Sequence, residues 1–303
     1  MGTTEGNPLG RAEGFASTSP KVGAAVCPWL GSGVVSLSAL ACISVGCVRS
    51  EVDAGAREPE ERLVVSSAPA AVSDRVAPSF EPAAVVELFT SEGCAACPRA
   101  DEFVAALDAQ AERNALRIFV LAFHVHYWNE LGHVDRFSAP RYTERQQWYA
   151  AGWGTTRVYT PQFVIGGTED VSGNDRRNAI LAISEQLDQK PKVGIALTLE
   201  VTDEVCHVRY EVEPPRPRDY LTVALVQDRG ATQIEAGENA GRLVEHVNIV
   251  RDVAWSHVGS GLGTWSTELP SDLSSGAVVA FVQQARTRRV VGASEIRLER
   301  DVR

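Results

Sequence analysis

The chain has 303 residues, of which 44% are hydrophobic and 22% charged, and its formal net charge is −10. At about 150 residues per domain, this length predicts two folded domains, and the composition is that of a soluble globular protein. The excess of acidic side chains leaves no basic stripe that could neutralise phosphates, so the charge argues against a nucleic-acid partner.

Residues 1–47 are predicted to be an export signal. Residues 22–48 contain no charged side chain, and residues 34–48 are strongly apolar with many small residues, a pattern typical of signal peptides. A proline and two glycines interrupt the segment, so a retained transmembrane anchor is the less favoured alternative. Cys47 follows small residues, in a pattern that resembles a bacterial lipoprotein cleavage site. Membrane attachment through a lipidated Cys47 and plain secretion both stay open.

Residues 48–82 are rich in Pro, Ala, Glu and Ser and have no periodicity, which predicts a disordered linker. Strand and helix patterns then alternate through residues 83–190, which predicts an α/β domain. Strands are expected at 84–89, 116–123 and 159–167, a loop at 124–137, and helices at 98–113, 139–151 and 175–187, the last with Asn174 as its N-cap.

Residues 191–303 change to short strand patterns separated by turns, which predicts an all-β antiparallel sandwich as the second domain. Cys206 lies within one of these patterns and is expected to be a small buried residue. The strands are expected at 193–201, 206–212, 220–227, 244–253, 264–269, 277–283 and 289–298.

Cys94 and Cys97 form a Cys-x-x-Cys motif in the stretch SEGCAACPRAD (residues 91–101), where the first strand pattern gives way to a helix pattern. A helix N-terminus offers unpaired N–H groups and a partial positive charge, and both favour a thiolate. Cys94 is therefore predicted to be a nucleophile with a lowered pKa.

Three interpretations of this motif compete: a redox dithiol, half of a zinc site, and a pair of structural thiols. Zinc normally takes four ligands, and the sequence has no second Cys-x-x-Cys. His124, His126 and His133 could complete a metal site, but such histidines are more often satisfied polar residues. The redox interpretation is favoured, and neither a metal nor another cofactor is predicted.

The order of the motifs resembles a thioredoxin-like domain: a strand, a Cys-x-x-Cys helix, a buried strand, and a Thr-Pro pair entering another strand. In that fold the proline follows a cis peptide bond and faces the dithiol. The resemblance implies this role for Thr160 and Pro161, with an ordinary trans proline at a strand start as the alternative. If the bond is cis, the backbone of Thr160 is expected beside Cys94, where it could pair with an extended substrate peptide.

Four longer stretches resemble an uncharacterised bacterial family of secreted thioredoxin-like proteins, known only as a domain of unknown function. The resemblance spans about residues 84–251, in both predicted domains, and implies a thioredoxin fold without a settled reaction. His126 stands where the family usually has Asp, and His133 where it usually has Trp. The stretches are ELFTSEGCAACPRAD (87–101), HVHYWNELGH (124–133), YTPQ (159–162) and GENAGRLVEHVNIVR (237–251).

The redox interpretation predicts that Cys94 attacks a disulfide sulfur and that Cys97 resolves the mixed disulfide. Glu87 lies on the strand that leads to the dithiol. It is predicted to be a buried proton acceptor, as an acidic residue in that strand is in thioredoxins, with an ordinary edge-facing glutamate as the alternative.

Most aromatic side chains near the motif are expected to pack in the core or in a lid. Tyr127, Trp128 and Trp153 are candidates to line a groove over the dithiol and to select the substrate. His246 and Asn248 are expected on a strand face that lies against the first domain.

The sequence therefore predicts an extracytoplasmic thiol–disulfide oxidoreductase that acts on protein or small-molecule thiols and disulfides. A metal-binding, metal-delivery or substrate-binding module with the same fold and no turnover is the alternative. A structural domain with a stable disulfide is the third possibility. The sequence predicts neither the redox direction nor the oligomeric state.

Overall fold

The computed structural model describes residues 74–299, which belong to one compact unit. The predicted export signal (1–47), with Cys47, and the first part of the predicted linker lie outside the described residues. Within residues 74–299, no helix is both long and apolar enough to span a membrane.

The described residues form a mixed α/β fold in which strands predominate. The helices are α1 (Pro98–Arg113), α2 (Pro140–Gly152) and α3 (Arg176–Leu187), and a 3₁₀ helix spans His126–Leu131. The strands are β1 (Asp74–Val76), β2 (Ala84–Thr90), β3 (Ile118–His124), β4 (Gln162–Ile165), β5 (Glu169–Ser172), β6 (Gly194–Thr202), β7 (Val205–Glu213), β8 (Tyr220–Gln233), β9 (Leu243–His257), β10 (Leu262–Glu268), β11 (Ser275–Gln283) and β12 (Val290–Glu299).

These strands are arranged in a four-stranded and an eight-stranded sheet. The small sheet has the order β1-β6-β7-β10 and is antiparallel throughout. The large sheet has the order β12-β11-β8-β9-β3-β2-β4-β5. Its pairs β9-β3 and β3-β2 are parallel and its other pairs antiparallel. The helix α1 forms the crossover that a parallel β2-β3 pair requires.

The helices predicted for residues 83–190 are present. Helix α1 has the predicted bounds. Pro98 lies in its first turn, where backbone N–H groups have no partner within the helix, so the missing N–H of proline costs no hydrogen bond. The N-cap of α3 is Asp175, and the prediction of Asn174 is wrong. The carboxylate of Asp175 accepts the backbone N–H of Asn178 at 3.1 Å, so it satisfies an unpaired donor of the first turn.

Two short elements of this region were not predicted from the sequence. Strand β5 forms a hairpin with β4, and the 3₁₀ helix lies inside the segment predicted as the loop 124–137. Both are short and partly exposed, so they lack the sustained apolar periodicity on which the predictions depend.

Part of the predicted disordered linker is described by the structure, and the prediction is wrong for the residues that form a strand there. Asp74–Val76 form β1, which pairs with β6 at the edge of the small sheet. Val76 also packs against the apolar core between the sheets. Ladder hydrogen bonds and one apolar contact therefore order a segment with no periodicity of its own.

All seven strands predicted for residues 191–303 are present, and they divide between the two sheets. The small sheet packs face to face against β8, β11 and β12, and their apolar side chains form one core. Leu197 and Val208 contribute from the small sheet, and Val223 and Val278 from the large one. Cys206 is buried in this core as a free thiol, as predicted.

Strand β9 makes the large sheet continuous. It pairs with β8 along most of its length and also pairs in parallel with β3, through Ala122 and Ile249. The change of pattern near residue 190 falls between α3 and β6, and the residues on both sides of it share this sheet.

Helices cover both faces of β2, β3 and β4. Phe103 of α1 and Ile183 of α3 pack with Leu88 on one face. On the other face, Tyr149 of α2 packs with Phe89. Successive residues of β2 therefore face different cores, as the alternation of a strand requires, and both cores are apolar.

A buried ion pair fixes α2 to the large sheet. Glu87 of β2 is fully buried, and its carboxylate accepts hydrogen bonds from the guanidinium of Arg145 (Nη2 to Oε1, 2.9 Å) and from the hydroxyl of Tyr149. The same Nη2 donates to the side chain of Gln283 in β11 at 3.1 Å. Because removal of one partner leaves a buried charge without compensation, both partners are needed to hold α2 in place.

We expect Arg145→Met to lower the free energy of unfolding by about 3–5 kcal/mol, because the Glu87 carboxylate then stays buried without a counter-charge. The matched double variant Glu87→Gln/Arg145→Met removes both charges and should lose clearly less. Urea denaturation at pH 7, followed by circular dichroism, measures both losses. A double variant as unstable as the single one would contradict this account of the ion pair.

Candidate functional site

The Cys-x-x-Cys motif occupies the turn between β2 and α1. Cys94 and Cys97 are joined in a disulfide with their Cα atoms 5.4 Å apart. Cys97 is the N-cap of α1, so the disulfide lies at the helix end where backbone N–H groups and the helix dipole stabilise a thiolate. Cys94 is 2% and Cys97 0% exposed. A disulfide in this place can exchange with another thiol once Cys94 becomes accessible.

The Thr160–Pro161 pair lies close to this turn. Its peptide bond is cis, as the resemblance to a thioredoxin-like domain implied. Gly173 has no room for a side chain, because an added Cβ would lie 2.5 Å from Cβ of Pro161 and 3.1 Å from Cβ of Ala100. Since Ala100 belongs to the first turn of α1, Pro161 lies near the helix end that carries the disulfide.

Trp128 links the two loops. Its indole Nε1 donates a hydrogen bond to Oγ1 of Thr160 at 2.8 Å. Its Cβ lies against Gly93, where an added Cβ would be 3.5 Å away. Trp128 is half-buried, so it packs between the dithiol turn and the proline loop and keeps an accessible edge.

The other two predicted groove residues differ in position. Tyr127 is a neighbour of Thr160 and Trp128, and burial raises the pKa of its phenol to about 12. Trp153, at the end of α2, stacks on Tyr149 with ring centroids 5.7 Å apart. The structure thus brings Tyr127 and Trp128 to the proline loop. Trp153 instead lies beside Tyr149, whose hydroxyl donates to Glu87.

The prediction that Glu87 accepts a proton from the dithiol needs correction. Its carboxylate is paired with Arg145 and Tyr149 on the face of the sheet that α2 covers. Helix α1, which carries Cys97, covers the opposite face. A strand pattern gives the alternation of side chains but does not say which face the helix covers.

The loop between β8 and β9 contacts the dithiol turn directly. Asn239 is 1% exposed, and its Nδ2 donates to the carbonyl oxygens of Glu92 and Cys94, at 2.9 Å each. Glu238 accepts the N–H of Ala95 at 3.0 Å. Neither residue was predicted to belong to the site, although both lie in the GENAGRLVEHVNIVR stretch.

A buried group of acidic and histidine side chains lies behind the turn, and we call it the carboxylate–histidine cluster. Its members come from the dithiol turn, α1, β3, the loop before α2, and β9. Of the histidines named in the sequence analysis, His126 is exposed and stays outside the cluster. The members are Glu92, Asp101, His124, His133, Asp135 and His246.

The first pair in the cluster is His124 with Asp135. Nδ1 of His124 lies 2.7 Å from Oδ2 of Asp135, and the same carboxylate accepts the N–H groups of Glu92 and Phe137, at 2.9 Å each. Burial alone would raise the pKa of Asp135, but His124 and these N–H groups lower it to about 2. Asp135 therefore stays ionised and fixes the dithiol turn through the N–H of Glu92.

Glu92 joins two further histidines. Its Oε2 is 2.8 Å from Nε2 of His133, and its Oε1 is 3.4 Å from Nε2 of His246. Burial pushes the pKa of Glu92 upward and so does Asp135, but His246, Thr232 and His133 outweigh them and lower it.

Asp101 is the member of the cluster on α1. It is 7% exposed, accepts a hydrogen bond from Oγ1 of Thr90 at 3.1 Å, and lies 3.8 Å from Nδ1 of His246. Burial raises its pKa from 3.8 to about 6, while His246 and Thr90 oppose the rise. The pKa of Asp101 is thus well above that of an ordinary aspartate.

Within residues 74–299, no group of three or more His, Cys, Asp or Glu side chains is arranged to hold a metal ion. His124, His133 and His246 each point a ring nitrogen at a carboxylate of the cluster.

His246 and Asn248 lie on β9 and face the first part of the chain, as predicted. His246 contacts Asp101, and Nδ2 of Asn248 donates to Oδ1 of Asp108 at 2.7 Å, so both contact α1.

A family model described as "Protein of unknown function (DUF1223)" matches residues 85–283, which is more than half of the chain. The chain is also similar to an X-ray crystal structure of a protein from Agrobacterium tumefaciens. Their sequences are 24% identical, the TM-score is 0.53, and the match covers 74% of this chain and 98% of that one, which shows a common fold. A search of curated proteins gives no match.

We expect Asp101→Asn to change how stability depends on pH. The folded protein raises the pKa of Asp101 from 3.8 to about 6, so folding favours the protonated carboxyl. This contribution is complete below pH 3.8 and is lost as the pH rises through 6. Asparagine cannot ionise, so the variant should gain up to about 3 kcal/mol over the wild type between pH 4 and pH 7.5.

Urea denaturation of both proteins at these two pH values measures the difference. A difference that stays constant with pH would contradict the assignment of a raised pKa to Asp101.

Proposed function

We propose that this chain, which belongs to the DUF1223 family of proteins of unknown function, is a thiol–disulfide oxidoreductase whose working group is the Cys94–Cys97 pair. The observation that carries the proposal is the position of the disulfide. It lies at the N-terminus of α1, and Trp128 links its turn to the Thr160–Pro161 loop.

The proposal includes a thioredoxin-like core. The strand order β3-β2-β4-β5, with α1 and α3 on one face and α2 on the other, supports it. The other half of the large sheet and the small sheet extend this core, and the loop between β8 and β9 supplies Asn239 to the dithiol turn.

In the proposed reaction, the thiolate of Cys94 attacks a disulfide of the substrate, and one substrate thiolate leaves. Cys97 then attacks the sulfur of Cys94, which restores the Cys94–Cys97 disulfide and releases the second substrate thiolate. The reverse sequence oxidises a substrate dithiol, so the same residues serve both directions. The helix end stabilises the Cys94 thiolate in either case.

Protein or small-molecule thiols and disulfides are the proposed substrates. Trp128 and Tyr127 lie beside Thr160 and are half-buried, so a substrate that reaches Cys94 would contact them. Because Cys94 is only 2% exposed, we expect the surrounding loops to open when substrate binds.

Action outside the cytoplasm is also part of the proposal. It depends on the apolar segment 34–48 and on Cys47, which lie outside the described residues. Analysis of the mature N-terminus of the protein from its host tests export and distinguishes lipidation at Cys47 from plain secretion.

The proposal predicts that the wild type accelerates both the reduction of insulin by dithiothreitol and the oxidation of reduced ribonuclease in glutathione buffers. Cys94→Ser should abolish both activities, because it removes the attacking sulfur. Cys97→Ser should instead accumulate a glutathione adduct on Cys94, visible by mass spectrometry, because the mixed disulfide cannot be resolved.

Cys206→Ala is the matched control, since Cys206 is a buried free thiol in the core between the two sheets and should not change either rate. The proposal is wrong if the wild type and Cys94→Ser are equally inactive over the full range of glutathione ratios.

A further inference from the structure

One stripe of α1 faces β9 and carries both Cys97 and Asp101. The N–H of Asp101 donates to the carbonyl of Cys97 at 3.1 Å, one helical turn apart, and side chains four residues apart share a helix face. Asp101 contacts His246 of β9, and Asp108, further along the same stripe, is bonded to Asn248 of β9. Cys97 and Asp101 are both buried.

We propose that Asp101, held against His246, accepts the proton of the Cys97 thiol when Cys97 resolves the mixed disulfide, and returns it in the reverse direction. This inference depends on the proposed thiol–disulfide exchange and assigns its proton transfer to a residue that the sequence analysis did not consider. Glu87, which it did consider, is held by Arg145 on the opposite face of the sheet.

The surroundings of Asp101 support a group that both takes and releases a proton. Burial raises its pKa to about 6, so the carboxylate is the main form at pH 7 and protonation costs little. Thr90 donates to Oδ1, which leaves Oδ2 on the side of His246. Glu92 and Asp135 raise the pKa of Asp101, and His246 lowers it.

His246 is buried without a conventional hydrogen bond. It is 2% exposed, and among the described residues neither of its ring nitrogens has a partner in hydrogen-bond geometry. Nδ1 lies 3.8 Å from Asp101 and Nε2 lies 3.4 Å from Glu92, while the ring of His124 packs 4.7 Å away, edge on. The ring therefore lies between two carboxylates, and no hydrogen bond fixes its orientation.

A cleft of about 250 Å³ gives Asp101 a route to solvent. It lies between the first turns of α1 and the start of β9, and Asp101 lines it together with Pro98. The charged side chains at its edge are Glu102, Arg242 and Glu245. A proton taken from Cys97 can therefore leave through the cleft without crossing the apolar core.

The Cys97 S–H proton moves to the Asp101 carboxylate, and the Cys97 thiolate attacks Sγ of Cys94. The new Cys94–Cys97 bond forms as the bond from Cys94 to the substrate sulfur breaks, and the substrate thiolate leaves with the electron pair. Asp101 then releases its proton through the cleft. The substrate disulfide is reduced, the protein dithiol is oxidised, and no further reactant is needed.

The test uses the reduced full-length protein and the disulfide reagent DTNB, followed at 412 nm by stopped flow. Attack by Cys94 releases a first coloured thiolate, and resolution by Cys97 releases a second. The Cys97→Ser variant cannot resolve the mixed disulfide, so its signal is subtracted from that of the wild type. The second phase of the wild type should rise with pH, with its midpoint near pH 6, and level off about one pH unit higher, following the ionisation of Asp101.

We expect Asp101→Asn to slow the second phase at pH 7 by roughly tenfold or more and to remove the plateau, because the rate then follows the Cys97 thiolate alone. The first phase should stay within about twofold of the wild type, since Cys94 does not depend on Asp101. His246→Gln should shift the rise of the profile to higher pH, because His246 lowers the pKa of Asp101.

Two further variants separate proton transfer from structure. Asp108→Asn removes a carboxylate from the same stripe of α1 but keeps a side-chain oxygen that can accept from Asn248, so it should behave as the wild type. Asp101→Ala should be slow and should regain rate with added formate, which is small enough to enter the cleft. A pH profile of Asp101→Asn that superimposes on the wild type would overturn the proposal, as would rates of Asp101→Ala that formate leaves unchanged.

A second measurement tests the proton-transfer role of Asp101 independently of the proposed exchange function. If the wild type releases no more coloured thiolate than Cys94→Ser, the exchange function fails. The titration of Cys97 is then read from the thiolate absorbance at 240 nm, as the difference between Cys94→Ser and Cys94→Ser/Cys97→Ser. Adding Asp101→Asn should lower the pKa of Cys97 by about one unit, because an ionised neighbour is lost. An unchanged titration would overturn the proposal independently of turnover.

Discussion

The parallel pairing of β9 with β3, through Ala122 and Ile249, determines what surrounds the disulfide. It joins the antiparallel strands of the C-terminal part to the β2-α1-β3 unit in one sheet, and so it sets β9 against α1. His246 then lies at Asp101, and Asn248 lies at Asp108. The loop that leads into β9 carries Asn239 to the carbonyl groups of Glu92 and Cys94. Residues far apart in sequence therefore form one site, and neither part of the chain holds it alone.

Buried carboxylates have different partners on the two faces of this sheet. On the face that α2 covers, Glu87 is paired with an arginine, which stays protonated under all ordinary conditions. That pair is suited to fixing a helix and unsuited to moving a proton. On the face that α1 covers, Glu92 and Asp101 lie against His246 instead of an arginine, and burial raises the pKa of Asp101 to about 6. Asp101, whose pKa is raised, thus lies on the side of the dithiol.

Much of the fold follows from local sequence patterns. The bounds of α1 follow from apolar spacing after a proline, and the seven C-terminal strands follow from alternation between turns. The cis bond before Pro161 was implied by the order of motifs. β1 was not predicted because it is ordered by pairing with β6 and its sequence has no periodicity.

The site was less predictable, because its contacts are long-range. Cys94, Trp128 and Thr160 were found by their motifs. Glu87 was predicted to accept a proton from the dithiol, but alternation along β2 does not identify the covering helix, and Glu87 lies on the face that α2 covers. Asp101 reads as an ordinary acidic residue in the first turn of a helix until β9 places His246 beside it. The signal that could have found these contacts was present in the GENAGRLVEHVNIVR stretch. The position of this stretch relative to α1 depends on the β3–β9 pairing, which a strand pattern does not encode.

The most direct test of the central claim is the reduction potential of the Cys94–Cys97 pair, measured in dithiothreitol or glutathione redox buffers with trapping of free thiols. Cys94→Ser/Cys97→Ser provides the baseline for the other cysteines. A working exchange dithiol should have a potential above about −300 mV, within the range of known oxidoreductases. A potential clearly below that value would identify a structural disulfide and contradict the proposed function.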